Sequence, residues 1–273
     1  MNTHSITFIG GGNMAPSLIA GLVRQGTAPA NIHVAEPIAE LRDALHSDFG
    51  VSTYASAVEA GAQGGGWVLA GKPEVVSQGC GDLTALAAQH APLVVSIAAG
   101  ITSAQLQQWL GGHEAVVRAM PNTPALLGAG VTGLFATSAV SAEQRAQADQ
   151  VLATAGRTVW IEDEAKMDAV TAVSGSGPAY VFLLAEAMEA AARAQGLPAE
   201  AAHTLVVQTL LGASRMLDES GEAPAELRRR VTSPNGTTQA AIESFQADGF
   251  EAIVARAIEA ATARGKALSE KAS

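Results

Sequence analysis

Apolar positions along the chain follow two regimes. Up to about residue 163, short β-branched runs recur: ITFIG (6–10), NIHVAE (31–36), GWVLAG (66–71), LVVSIAAG (93–100), EAVVRAMP (114–121), GVTGLFAT (130–137) and RTVWIED (157–163). Helix-like stretches such as APSLIAGLVRQG (15–26) and IAELRDALHSDFG (38–50) separate the early ones. Strands separated by helices of this length predict a mostly parallel sheet with helices on both faces. After about Asp163 the strand pattern stops. The segments 178–196 and 199–220 are long and apolar on most sides, so each needs burial against several neighbours. So many buried faces in the remaining chain imply a partner subunit. The last helix, from Phe250, carries an ordinary stripe of Phe250, Ile253, Val254, Ala257, Ile258 and Ala261. The expected architecture is α/β, with a sheet-and-helix domain over 1–162 and a helical domain over 163–273.

Composition narrows the partners. A net charge of −10 argues against nucleic acid or an anionic membrane surface, both of which need clustered Lys and Arg. Arg228-Arg229-Arg230 is too short to reverse this and reads as the solvated last turn of a helix. With a single cysteine, Cys80, no intrachain disulfide can form, and a reducing cytoplasm is expected. The first residues lack a basic signal-peptide start, and apolar segments such as APLVVSIAAGITSA are too short to span a membrane.

FIGGGNMA places Gly10-x-Gly12-x-x-Ala15 directly between a strand and a helix. Gly10 permits the tight turn, Gly12 lets a pyrophosphate approach the backbone, and Ala15 allows close helix–strand contact. The helix N-terminus adds N–H donors and a positive dipole end. A plain glycine-rich turn is the alternative, but the complete βαβ context favours dinucleotide binding. Glu36, at the end of the second run, suits the ribose 2′-OH of NAD and would repel a 2′-phosphate, which favours NADH. Arg42 lies one helical turn further on.

No hydrolytic or metal constellation is visible. The histidines at 4, 33, 46, 90, 113 and 203 lack ligand spacing, so no metal is expected, and Cys80 has no activating neighbour. Hydride transfer needs neither a nucleophile nor a metal. RAMPNTPA (118–125), SGSGPAY (174–180) and SPNGTT (233–238) stand out as polar motifs rich in proline or glycine. Each alone reads as a turn or a helix cap.

Together with FIGGGNMA, Lys72-Pro73 and VSIAAG, these motifs resemble the pyrroline-5-carboxylate reductase family in order and spacing along essentially the whole chain. The resemblance implies an N-terminal Rossmann domain and a C-terminal all-helical dimerisation domain. It also implies a homodimer, often assembled further into a decamer, and NADPH or NADH as cofactor. The implied reaction is hydride transfer to C5 of 1-pyrroline-5-carboxylate, giving L-proline. By the same resemblance Ser233, Gly236, Thr237 and Thr238 hold the substrate carboxylate, and the Thr238 hydroxyl, the catalytic group, bonds the ring nitrogen. Ser174, Gly175, Ser176, Gly177 and Pro178 line the facing wall. The cofactor falls to Gly10, Gly11, Gly12, Asn13, Met14, Glu36, Ala70, Lys72, Pro73, Ala98, Ala99 and Gly100, with Met120, Pro121, Asn122 and Thr123 beside the nicotinamide.

Asn235 stands where the family usually has a second glycine, a position that Asn tolerates in left-handed backbone. Gly64-Gly65-Gly66 replaces the usual Ala-Asp and is expected to loosen that strand. Glu36 departs from the family's common use of NADPH. A reductase acting on another imine or a small keto acid is the alternative reading of the same architecture.

Overall fold

The computed structural model describes residues 5–271; His4 lies outside them. The chain lays down β1 (Ile6–Ile9), α1 (Ala15–Arg24), β2 (Ile32–Ala35), α2 (Ala39–Phe49), β3 (Ser52–Tyr54) and α3 (Ala57–Gly61). It continues with β4 (Gly66–Leu69), α4 (Pro73–His90), β5 (Val94–Ser96), α5 (Ser103–Trp109) and β6 (Val116–Met120). Then come β7 (Gly130–Ala136), α6 (Ala142–Leu152) and β8 (Gly156–Trp160).

The strands form one eight-stranded sheet in the order β3-β2-β1-β4-β5-β6-β7-β8. Every neighbouring pair is parallel except β6 with β7, where Val117 faces Ala136 and Met120 faces Gly133. Successive strand residues serve opposite faces. Phe8, Val68, Val95 and Val117 join one apolar core with Leu18, Ile19 and Leu22 of α1. Ile9, Leu69, Val94 and Val116 join the other, with Val76, Cys80 and Leu83 of α4. Burial on both faces is why these runs read as continuously apolar rather than alternating. The order reverses between β1 and β4, which opens a crevice at the carboxyl ends of those strands.

Two local expectations are corrected. The strand β3 was not foreseen, because its three residues are all only half-buried and carry no strong apolar signal. Of the glycine run at the start of β4, Gly65 is a close approach rather than a loosening. Gly65 has φ +83°, and a Cβ there would lie 1.8 Å from the Ser5 carbonyl oxygen.

The remainder is helical: α7 (Met167–Val170), a π-helical turn (Thr171–Gly175), α8 (Gly177–Ala194), α9 (Ala199–Glu219), α10 (Pro224–Arg230), α11 (Thr237–Ala247) and α12 (Phe250–Lys271). By contacts the chain falls into two compact units. One runs to Ser176 and resumes from Ala260; the other is Gly177–Glu259. The strand pattern ends earlier, at Trp160, because the first helical turns still pack on the sheet: a Cβ on Gly133 of β7 would meet Val170 at 2.5 Å.

In the second unit the apolar helices are not covered by their own chain. Phe182 and Leu183 of α8 are each 66 % exposed, and Leu205 and Leu211 of α9 are also exposed. The expected stripe on α12 shares this fate, with Phe250, Ile253 and Val254 exposed. Arg228, Arg229 and Arg230 do form the last turn of α10, where Arg229 and Arg230 pair with Glu226 and Glu222.

Candidate functional site: a dinucleotide crevice and a left-handed turn

The glycine loop leaves β1 at the reversal point. Gly10 has φ +105°, and a Cβ on it would lie 3.0 Å from the Gly71 nitrogen and 3.1 Å from the Ala70 carbonyl carbon. The loop therefore passes over the end of β4 at a distance only glycine permits. Gly12 has far more room, its nearest obstacle being the Ala70 oxygen at 3.6 Å. Asn13 and Met14 complete the loop, and Met14, at the N-cap of α1, makes no side-chain cap. The Ala15 N–H turns back to the Gly12 carbonyl and Pro16 has none, so the start of α1 offers an anion its positive dipole end and the Ser17 N–H.

Glu36 is 6 % exposed and held at both oxygens. Oε2 accepts from the Gly11 N–H and Oε1 from the Ile38 N–H, each at 3.0 Å. The carboxylate thus bridges the phosphate loop to the end of β2. Arg42 does not reach across the site, because its Nη1 donates to the carbonyls of Glu36 and Pro37.

The other cofactor candidates follow the carboxyl ends of neighbouring strands. Ala70 continues β4, and its N–H donates to the Ile9 carbonyl. Lys72 is the N-cap of α4 and Pro73 opens that helix, where a missing N–H costs nothing. Ala98, Ala99 and Gly100 follow β5, while Met120 ends β6 and Pro121 and Asn122 follow it. One edge of the sheet therefore gathers all of these residues in the first unit.

Beneath that edge lies a charged cluster that the sequence reading missed. Arg118, in the middle of β6, is 5 % exposed. Its guanidinium lies 3.3 Å from Glu164 and 3.5 Å from Asp168. Glu164 also accepts from the Ser103 N–H and hydroxyl at the start of α5. The available signal was an arginine inside the apolar run VVRAM, which needs buried anionic partners. Further along, Thr171–Gly175 forms a π-turn in which the Ser176 N–H reaches the Thr171 carbonyl at 2.8 Å. Such turns recur at functional sites.

In the second unit, Ser233–Gly236 closes a turn through the Gly236 N–H to the Ser233 carbonyl at 3.0 Å. Asn235 has φ +59°, the left-handed conformation its position demands. Its N–H donates to Gln239 Oε1 at 2.7 Å. Gly236 is the N-cap of α11 without a side-chain cap, and Thr237 and Thr238 open the helix. The turn and the helix start are one structure, presenting first-turn N–H groups beside two hydroxyls. Gly177 and Pro178 begin α8 in the same unit.

Cys80 is fully buried in α4, and burial pushes its thiol up to about 12, far from a reactive thiolate. Among the described residues no helix is long and apolar enough to cross a membrane.

Comparison with known proteins agrees with this arrangement. The family pattern described as pyrroline-5-carboxylate reductase dimerisation matches residues 164–268. That described as NADP oxidoreductase, coenzyme F420-dependent, matches residues 5–100. The chain is 52 % identical to the pyrroline-5-carboxylate reductase of Pseudomonas aeruginosa over 271 residues, covering 99 % of both proteins. The solved structure of the Coxiella burnetii pyrroline-5-carboxylate reductase is 39 % identical, with a TM-score of 0.95 over 98 % of this chain and 99 % of that one. The Plasmodium falciparum pyrroline carboxylate reductase, solved with NADP bound, is 27 % identical, with a TM-score of 0.85 over 98 % of this chain and 99 % of that one. On the extent of these likenesses, the chain belongs to the pyrroline-5-carboxylate reductase family.

Proposed function

We infer that this protein reduces the C=N bond of 1-pyrroline-5-carboxylate to give L-proline, using NAD(P)H. The observation that carries this reading is a dinucleotide crevice and an uncapped, left-handed turn at a helix start, both on the motifs of one family. The bound nicotinamide supplies the hydride. Everything else is asked of the chain.

The start of α1, with Gly10, Gly11, Gly12, Asn13 and Met14, suits the pyrophosphate, and Glu36 suits the adenosine ribose. Ala70, Lys72, Pro73, Ala98, Ala99 and Gly100 are the remaining cofactor contacts in this reading, with Met120 and Pro121 beside the nicotinamide. The substrate carboxylate takes the N–H groups of Thr237 and Thr238 that open α11 behind the Gly236 N-cap, together with the Ser233 hydroxyl. A Thr238 hydroxyl donated to the ring nitrogen favours electron flow toward that atom without adding a charge to the site. Ser174, Gly175, Ser176, Gly177 and Pro178 supply the substrate wall. A functional boundary at 162/163 belongs to this reading, and a dimerisation pattern that begins at residue 164 supports it.

The protein is a homo-oligomer, and the exposed Phe182, Leu183 and Leu211 are the faces a second copy would cover. A pentamer of dimers, and residence in the cytoplasm, complete the proposal.

The test is turnover of pyrroline-5-carboxylate with each nucleotide, set against piperideine-6-carboxylate and 2-keto acids. Turnover only of the latter substrates would move the protein to the alternative reading. Removing the Thr238 hydroxyl in Thr238→Ala should lower kcat/KM by about 10–1,000-fold, the scale for one positioned donor at a reacting centre. Full activity in that variant would take Thr238 out of the mechanism.

A further inference from the structure

The Asn122 side chain spends both ends of its amide on backbone. Oδ1 accepts from the Val131 N–H of β7 at 3.0 Å, and Nδ2 donates to the Ser174 carbonyl at 3.1 Å. The orientation is fixed by chemistry: Val131 offers only a donor and Ser174 only an acceptor, so the amide fits one way round. Asn122 also sits at the N-cap of the short helical turn Thr123–Leu127, where an Asn commonly caps the N–H groups after it. It makes no such bond here.

Why Ser174 needs this donor follows from the sequence. In a continuous α-helix its carbonyl would accept from the residue four positions on, which is Pro178 and has no N–H. The backbone here widens instead into the π-turn Thr171–Gly175. Met120 presses on the same turn, since a Cβ on Gly175 would lie 2.7 Å from its methyl group. The end of β6 thus holds the turn by one thioether contact and one amide bond.

We propose that Asn122 is a positioning residue. It fixes the Ser174–Ser176 wall of the active site by giving the Ser174 carbonyl the donor that Pro178 withholds, rather than by bonding the cofactor. This rests on the reductase reading for its kinetic consequence, but not for its structural one. The residues carrying it lie in RAMPNTPA and SGSGPAY, so the two motifs are coupled by a single side chain.

The full-length protein is tested as wild type, Asn122→Ala and Asn122→Asp. The Asp variant keeps an acceptor for the Val131 N–H while setting an oxygen against the Ser174 carbonyl. It therefore tests the Ser174 bond alone, should the Ala variant fail to fold. Amide hydrogen exchange over 171–177 should accelerate about 10-fold or more in each variant, the consequence of losing one buried hydrogen bond. Adding Pro178→Ala to Asn122→Ala restores a backbone N–H at position 178 and should recover part of that protection. With pyrroline-5-carboxylate, kcat should fall about 10–100-fold while KM for NADH and NADPH changes by less than about 2-fold. A raised cofactor KM with unchanged kcat and unchanged exchange would overturn the proposal, making Asn122 a direct cofactor contact. So would additive effects of the Asn122 and Pro178 substitutions on exchange. If the wild type turns over no pyrroline-5-carboxylate, the reductase reading fails, while the exchange measurements still decide the role of Asn122.

Discussion

Glu36 offers a prediction that separates recognition from architecture. Its carboxylate is pinned by the Gly11 and Ile38 N–H groups, so it is not free to swing away from an incoming ribose. A 2′-phosphate carries about −1.5 to −2 charges near neutral pH. At 4 Å in water each unit charge costs about 1 kcal/mol against the carboxylate, so NADPH bears roughly 1.5–2 kcal/mol that NADH does not. Glu36→Gln removes that charge and should raise kcat/KM for NADPH about 10–30-fold. NADH should lose a few-fold, because a charged acceptor for its 2′-OH becomes a neutral one. The amide brings one oxygen where the carboxylate brought two, leaving either the Gly11 or the Ile38 N–H facing an NH2 group. That costs about 1–3 kcal/mol and lowers Tm by roughly 3–10 °C. Steady-state kinetics with both nucleotides and a thermal melt read the two effects independently. A lowered Tm with an unchanged NADPH-to-NADH ratio would refute the reasoning, leaving Glu36 as a brace for the loop and no more.

Arg118→Met should destabilise the protein by about 3–5 kcal/mol in urea unfolding, because it strands the Asp168 and Glu164 carboxylates in the site Arg118 now fills. The double substitution Arg118→Met with Asp168→Asn should recover part of this loss. Cys80 should resist iodoacetamide in the native state at neutral pH and react once denatured, as its burial and raised pKa require. Because the folded thiol's pKa is raised, its contribution to stability is complete below the unfolded value of about 9 and is lost as pH rises toward about 12, which alkaline unfolding would detect.

The strand runs, the phosphate loop and the start of α11 were legible because each is a local agreement between residue type and backbone demand. Gly10 sits where only glycine fits, Pro73 where an N–H is not needed, and Asn235 at φ +59° where glycine's nearest substitute is required. β3 escaped notice because a half-buried three-residue strand carries no periodic signal of its own. Gly65 was misread because its close approach to Ser5 depends on a residue far away in sequence.

By itself the sequence determined the α/β order, the class of cofactor and the family, since these follow from periodicity and from motifs whose chemistry is local. Only the tertiary structure decided that Glu36 is shared between loop and strand, that Arg118 carries two carboxylates, and that Asn122 completes the Ser174 turn. Apart from Glu36 with Ile38, those partnerships join residues 25 to 52 positions apart. A buried polar group must find a partner, but the chain's linear order does not say which one; the strand order and the register of the sheet do.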